Sequence, residues 1–268
     1  MTTLAGLLRY HALRTHEKWY SRRQRRYDLD LSFTEAVDRF ANRNELHAYF
    51  HHNYHQMCLE EVRAHRTYFK QFGRGFGEDA FHAMWATLLR EFRPKKCVEI
   101  GVFRGQTISL WALIARLEHF ACEIHGISPF APVGDVVSNY PKDIDYIADV
   151  RNAFDLLNLP APTLIRSLST DPIGVEHLKS TSWDLIYIDG SHDYEIVLSD
   201  YRISLGQLKI GGLLVMDDSS LYTTFKPPPF SFAGHPGPSR VMSEMAMKEL
   251  RFLGAVGHNN EFIRAPTD

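Results

Sequence analysis

The stretch Lys96-Cys-Val-Glu-Ile-Gly101-Val-Phe-Arg-Gly105-Gln-Thr107 decides how the rest of the chain is read. Its first part has the length and apolar character of a buried strand. Gly101 permits a tight turn at the strand's end. Gly105 lets a following helix pack close and lets backbone N–H groups approach a ligand. By itself G-x-x-x-G is a weak signal. It is neither the dinucleotide G-x-G-x-x-G nor a phosphate loop, because no Gly-Lys-Ser/Thr follows. A tight strand-to-helix turn that binds nothing explains it equally well.

On both sides of this loop the pattern alternates. A helix is expected from Asp79 to Phe92, with Phe81, Met84, Trp85, Leu88 and Leu89 on its apolar face and Pro94 beyond its end. The loop leads into a helix over Thr107 to Leu117. Strands follow at Cys122 to Ile127, Thr163 to Arg166, Trp183 to Ile188 and Leu213 to Met216. Helices at Asp145 to Leu157 and Tyr194 to Leu208 lie between them. A helix over Ser239 to Leu250 precedes two weaker strands, near Leu253 to Val256 and Glu261 to Arg264. Strict alternation implies an α/β fold with a mostly parallel sheet covered on both faces. Ligands of such sheets bind outside the carboxyl ends of the strands. Function is therefore to be sought after Ile100, Ile127, Arg166, Ile188 and Met216.

Up to Gly77 the texture differs. Helices are expected around Thr34 and from Glu45 to Phe69, with Ser32 as a cap, and no alternating β-branched run occurs. Residues 1–77 are expected to form a helical cap or oligomerisation region, and residues 78–268 the ligand-binding domain.

Composition narrows the function classes. The chain has 268 residues, 44% hydrophobic and 23% charged, as in an ordinary globular protein. No apolar run approaches the roughly 20 residues of a membrane span. Cys58, Cys97 and Cys122 show neither a disulfide framework nor zinc spacing, which fits a reducing, cytoplasmic setting. A formal net charge of −2 gives no global attraction to nucleic acid. Arg9, Arg14, Lys18, Arg22, Arg23, Arg25 and Arg26 crowd near the start and read as a solvated helix face, with a specific anionic partner as the alternative.

Three blocks taken together carry a resemblance. They are Glu99-Ile-Gly101-x-x-x-Gly105, then Trp183-Asp-Leu-Ile-Tyr-Ile-Asp-Gly-Ser-His-Asp-Tyr194, then Gly211-Gly-Leu-Leu-Val-Met-Asp-Asp218. Their order and spacing resemble class I S-adenosylmethionine-dependent methyltransferases. They are most similar to the metal-dependent O-methyltransferases of sugars and antibiotics, a group that includes cephalosporin-modifying proteins. The resemblance spans about Glu78 to Arg264. It implies a doubly wound, Rossmann-like methyltransferase sheet with an N-terminal helical cap. It also implies that Glu99, Gly101, Gly105 and Asp189 surround the cofactor. After the second strand the family's ribose-binding acid is replaced by Ser128, whose hydroxyl can bond one ribose oxygen without charge assistance. Asp135 is the alternative, although it reads more simply as a surface-loop residue. Ser167 and Ser169 fall where the family contacts adenine.

In the family's strand order Asp189 follows one strand and Asp217 and Asp218 follow its neighbour, about 4.8 Å away. Converging carboxylates repel unless a proton or cation lies between them. Mg²⁺ is the expected ion, since hard divalent cations suit all-oxygen ligands. Helix capping is the bland alternative for any one of the three. His192 is expected to take the acceptor's proton, or else to orient Asp189 or simply to form part of a helix start capped by Ser191. Tyr194 reads as packing. His51 and His55 have i, i+4 spacing, but without the Glu of H-E-x-x-H they read as an interface or surface helix. The loop Pro227–Pro238, with His235, Phe230 and Phe232, is placed to line an acceptor pocket. Tyr222 and Phe225 add apolar surface just before it.

The expectation is metal-assisted methyl transfer to a small-molecule hydroxyl by a homo-oligomer, with no nucleic-acid or membrane partner. Two rival readings keep the fold. One uses the metal for other chemistry, of the cephalosporin-modifying kind. The other is a non-catalytic nucleoside-binding subunit.

Overall fold

The structure is a computed structural model, and it describes residues 4–22, 27, 29–135, 137 and 140–266. Arg23, Arg25 and Arg26 of the basic cluster lie outside the described residues. The sheet is built by β1 (Lys96–Ile100), β2 (Glu123–Ser128), β3 (Thr163–Arg166), β4 (Trp183–Ile188), β5 (Leu208–Met216), β6 (Arg251–Val256) and β7 (Asn259–Ile263). Their order across the sheet is β3-β2-β1-β4-β5-β7-β6. β1 to β5 run parallel, and β7 runs antiparallel to both β5 and β6. The doubly wound architecture expected from the alternation is present, and the strand order switches from one side of the sheet to the other between β1 and β4.

Register decides where the site lies. Ile100 pairs with both Ile127 and Ile188, and Ile188 pairs with Met216. β1, β4 and β5 therefore end level with one another. Gly101, Asp189 and Asp217 leave the sheet side by side at its carboxyl edge.

Successive strand residues face opposite sides, and both sides are dry. Leu185, Tyr187, Leu213 and Val215 face one apolar cluster, and Val98, Ile186, Ile188 and Leu214 face the other. The first cluster packs against α5 (Asp79–Phe92) and α6 (Gln106–Leu117). Trp85, Trp111 and Tyr187 meet there at ring-centroid distances of 5.1–6.2 Å. The second packs against α9 (Tyr194–Gln207) through Val197, Leu198 and Tyr201.

The amino-terminal segment supplies α1 (Leu4–Arg22), α2 (Phe33–Arg39), α3 (Arg43–Gln56) and α4 (Glu60–Lys70). Ser32 caps α2 in a reciprocal box with Glu35. Phe33, Tyr49, Phe50 and Val62 join the same apolar cluster as α5 and α6. No described helix is long and apolar enough to cross a membrane.

Some elements differ from the sequence reading. The helix α8 (Pro172–Lys179) was not expected; it follows α7 (Tyr146–Leu156), begins on a proline and packs Gly174 against the Leu168 carbonyl. β5 starts at Leu208 rather than Leu213, running through the Gly211-Gly212 pair. The expected Ser239–Leu250 helix is segmented into α10 (Pro236–Val241), a π-turn over Met242–Ala246 and α11 (Met247–Glu249). The surface reading of α3 is corrected: His47, His51 and His52 are buried. Tyr20, Phe225 and Phe230 of other segments cover His47 and His51.

Candidate active site

A cavity of about 470 Å³ opens at the carboxyl edge of β1, β4 and β5. Its polar lining includes Glu99, Asp189, His192, Asp217, Asp218 and His258. Phe81, Trp85, Phe103, Tyr187 and Phe232 give it aromatic walls. Such a size and mixture suits a small organic ligand.

Gly101 makes the floor. Its φ is +103°, and a Cβ there would lie 2.0 Å from the Asp189 carbonyl oxygen. The turns after β1 and β4 therefore touch backbone to backbone, which only glycine allows. Gly105 precedes α6 with φ +83° and lies against Val150 of α7. Gln106 and Thr107 of α6 reach the cavity, while Gly105 supports it from behind.

The carboxylates converge as the register requires. The Asp189 amide donates to Ile100 O at 2.8 Å, and the Asp217 amide donates to Ile188 O at 3.0 Å. Burial first, and then the neighbouring Asp217, hold the Asp189 carboxyl well above the ordinary range. Burial raises Glu99 to about 8; Thr107 opposes this and Asp217 adds to it. Acids lifted in this way are groups that lack a positive partner. Glu99 Oε2, Asp217 Oδ1 and Asp218 Oδ1 are buried without a hydrogen bond.

Asp218 has φ +51°, a left-handed conformation tolerated by Asp more than by most residues. Its carbonyl accepts from the His235 amide at 2.8 Å, which fixes the turn. Its two carboxylate oxygens face different histidines. Oδ2 lies 2.8 Å from His192 Nε2, and Oδ1 lies 2.8 Å from His258 Nδ1. Burial would raise Asp218, yet these two imidazoles hold it below the usual carboxylate range.

His192 is gripped from both sides. Its Nδ1 lies 2.7 Å from Asp135 Oδ2, the same oxygen that accepts from the His192 amide. Burial lowers its pKa, but Asp218 and then Asp135 outweigh that and raise it to about 8. The reading of Asp135 as a surface-loop residue is corrected by its burial. Its side chain is only 3% exposed and is spent on His192.

The two serines assigned to the nucleoside do not line this cavity. Ser128 is buried at the end of β2, hydrogen-bonded through its carbonyl to the Ser167 amide. The Ser167 hydroxyl donates to Leu168 O and accepts from the Gly174 amide, which secures the turn into α8. From the segment after β2, Val137 and Tyr140 line the cavity instead.

His258 was missed in the sequence. It sits with Gly257 in the turn joining Val256 of β6 to Asn259 of β7. Gly257 has φ +64°, and a Cβ there would lie 2.8 Å from the Phe81 ring. The His258 carbonyl accepts from the Ser219 amide at 2.9 Å, which ties the hairpin tip to the turn after Asp218. Glu78 was also missed: its two oxygens face His258 Nε2 at 3.7 Å and His47 Nε2 at 3.2 Å. The signal was faint, since a histidine in a turn and an acid before a helix are ordinary surface features.

Among the described residues, two groups bring ligand atoms within 4.8 Å of one another: Asp217 with Asp218 and His258, and His192 with Asp218 and His235. Asp189 belongs to neither. His51 and His55 meet edge to face with ring centroids 5.1 Å apart, outside both groups. Of the Pro227–Pro238 loop, Phe232 and His235 reach the cavity, whereas Phe230 packs on Tyr20 and His51. Of the two aromatics before it, Tyr222 is exposed and Phe225 is buried against His47.

Residues 98–219 match the family model described as a methyltransferase domain. No curated protein sequence matches the chain. Among solved structures, the SAH-bound methyltransferase PaMTH1 of Podospora anserina aligns over 89% of this chain and 99% of its own, with TM-score 0.55 and 16% identity. TomG of Streptomyces achromogenes, an O-methyltransferase of tomaymycin synthesis in complex with SAM, aligns over 84% and 97%, with TM-score 0.51 and 14% identity. An O-methyltransferase of Bacillus cereus in complex with SAH aligns over 77% and 91%, with TM-score 0.51 and 12% identity. Residues 98–219 thus resemble a methyltransferase domain, and the sheet whose edge carries this cavity has the fold of these class I methyltransferases.

Proposed function

We propose that the chain transfers a methyl group from S-adenosylmethionine to a hydroxyl of a small molecule, with a divalent cation at Asp217 and Asp218. One observation carries this reading. Glu99, Gly101, Asp189, Asp217 and Asp218 converge on one cavity in which several buried carboxylate oxygens make no hydrogen bond. A donor set of this kind fits positively charged ligands. The methionine part of the cofactor brings an ammonium and a sulfonium, and a divalent ion brings more.

The chain's own residues bind and orient. Glu99 and Asp189 present acids beside the Gly101 turn, where an ammonium would neutralise them. Phe103, Trp85 and Tyr187 exclude water from the cavity. A methyl transfer gains most from alignment of the acceptor oxygen with the sulfonium carbon, so a rigid floor of touching turns serves it well. A cation at the aspartates would make an acceptor hydroxyl easier to deprotonate. His192, which lines the cavity beside Asp218, is the residue assigned to take the proton. Both of its nitrogens now face carboxylates, so it becomes a base only when Nε2 leaves Asp218 for the acceptor hydroxyl.

The test uses the purified full chain, S-adenosylmethionine and a panel of phenolic and polyhydroxylated acceptors, with release of the demethylated cofactor as readout. Removing divalent ions with a chelator is expected to abolish turnover while leaving cofactor binding nearly intact. Asp217→Ala is expected to do the same. Full turnover in the chelator would contradict the cation's role.

A further inference from the structure

We propose that His258 is a ligand of the site's cation, completing an imidazole–carboxylate–carboxylate set with Asp217 and Asp218. Such a set selects a first-row transition ion over magnesium. The inference rests on the cation reading above and names which ion that site takes.

Three buried ligand atoms from three residues meet at one point. Asp217 Oδ1, Asp218 Oδ1 and His258 Nδ1 are each buried without a hydrogen bond. His258 is 5% exposed and Asp218 is 7% exposed. Nδ1 lies 2.8 Å from Asp218 Oδ1 and 3.2 Å from Asp217 Oδ1. Both contacts are at ion-pair distance without a well-aligned hydrogen bond, a spacing that three ligands of one cation also adopt. Adjacent ligand atoms around an octahedral ion at about 2.1 Å are about 3 Å apart, close to these spacings.

The imidazole is also held as a ligand would be. Phe81 and Phe232 pack against it, with ring centroids at 4.7 and 4.5 Å. Its far nitrogen, Nε2, faces Glu78 Oε1 at 3.7 Å, and Glu78 is in turn braced by His47. A carboxylate behind a ligating histidine fixes its tautomer and orientation. The tie between His258 O and the Ser219 amide keeps ligands from two distant chain segments together.

The ligand types then choose the ion. Two carboxylates alone suit Mg²⁺, whereas imidazole nitrogen suits Mn²⁺, Fe²⁺, Co²⁺ and their neighbours better. The second group, His192 with His235 and Asp218 Oδ2, is a weaker claimant, because His192 Nε2 and Asp218 Oδ2 already bond each other.

Metal-stripped full-length protein loaded with Mn²⁺ tests this by pulsed electron paramagnetic resonance. Calorimetric titrations with Co²⁺ and Mg²⁺ run beside it. The expected spectrum shows coupling to an imidazole nitrogen that His258→Gln removes and His235→Gln keeps. Cobalt is expected to bind more tightly than magnesium, and His258→Gln to weaken cobalt about tenfold or more while changing magnesium little. If His258→Gln fails to fold, the wild-type spectrum and ion preference decide. Ion binding without nitrogen coupling would overturn this inference and leave the carboxylate site standing. Coupling lost in His235→Gln instead of His258→Gln would also overturn it. No binding of any of these ions would overturn both readings.

Discussion

At Gly101 a methyl group would lie 2.0 Å from the Asp189 carbonyl oxygen, in a backbone conformation with φ +103°. Gly101→Ala is therefore expected to cost on the order of 2–4 kcal/mol and to impair cofactor binding, measured by thermal unfolding and calorimetry. Stability and binding both unchanged would mean that the two turns do not touch. His192→Ala is expected to slow methyl transfer by about 10²-fold or more while cofactor affinity stays near that of the wild type. An unchanged rate would leave His192 only its contacts with Asp135 and Asp218. Glycine and aspartate positions of this kind were legible in the sequence because they follow apolar runs directly, so register alone brings them together. Asp135 and His258 were not, because each reaches the site from a loop remote in sequence. Ser128 and Ser167 fell at the expected strand ends, but their side chains turn into the protein, which position along a strand does not reveal.

Among elements, the helices over the sheet carry buried ionisable groups whose effects on stability have opposite signs. His51 of α3 and His82 of α5 have pKa values lowered from 6.5 to about 3, chiefly by burial. Their folded values lie below the unfolded ones, so the stability they permit is complete above about pH 6.5 and falls as the pH drops toward 3. At pH 5 each is expected to cost up to about 2 kcal/mol. Hydrogen exchange at pH 5 and 7.5 is expected to show α3 and α5 losing more protection than β1 and β4. Equal loss throughout would contradict this. Asp200 of α9 behaves oppositely: burial raises it from 3.8 to about 7, with a small offset from Ser169. The folded protein then keeps a proton that the unfolded chain gives up, so stability falls between about pH 4 and 7 and is level beyond. Asp200→Asn is expected to flatten that slope in denaturant titrations, and an unaltered slope would place its cause elsewhere. The central strands were legible because a parallel strand buried on both faces is a plain apolar run. α8 was not, since Pro172 and Gly174 read as loop residues although Pro suits a first helical turn. The burial of α3 was equally hidden. Its histidines look polar in sequence but are covered by aromatic rings from the first helix and the Pro-rich loop.

For the whole molecule, fold and chemistry follow from one alignment. Level ends of β1, β4 and β5 put a glycine turn, a carboxylate after β4 and paired carboxylates after β5 around a single cavity. The amino-terminal helices close one face of that sheet through the same apolar cluster as α5 and α6. The central claim is that this edge binds S-adenosylmethionine. Its most direct test is calorimetric titration of the full chain with S-adenosylmethionine and with its demethylated product, using NAD as control. Saturable binding of both methionine nucleosides at one site per chain, with none for NAD, is predicted. Binding of NAD alone, or of none of the three, would contradict the account.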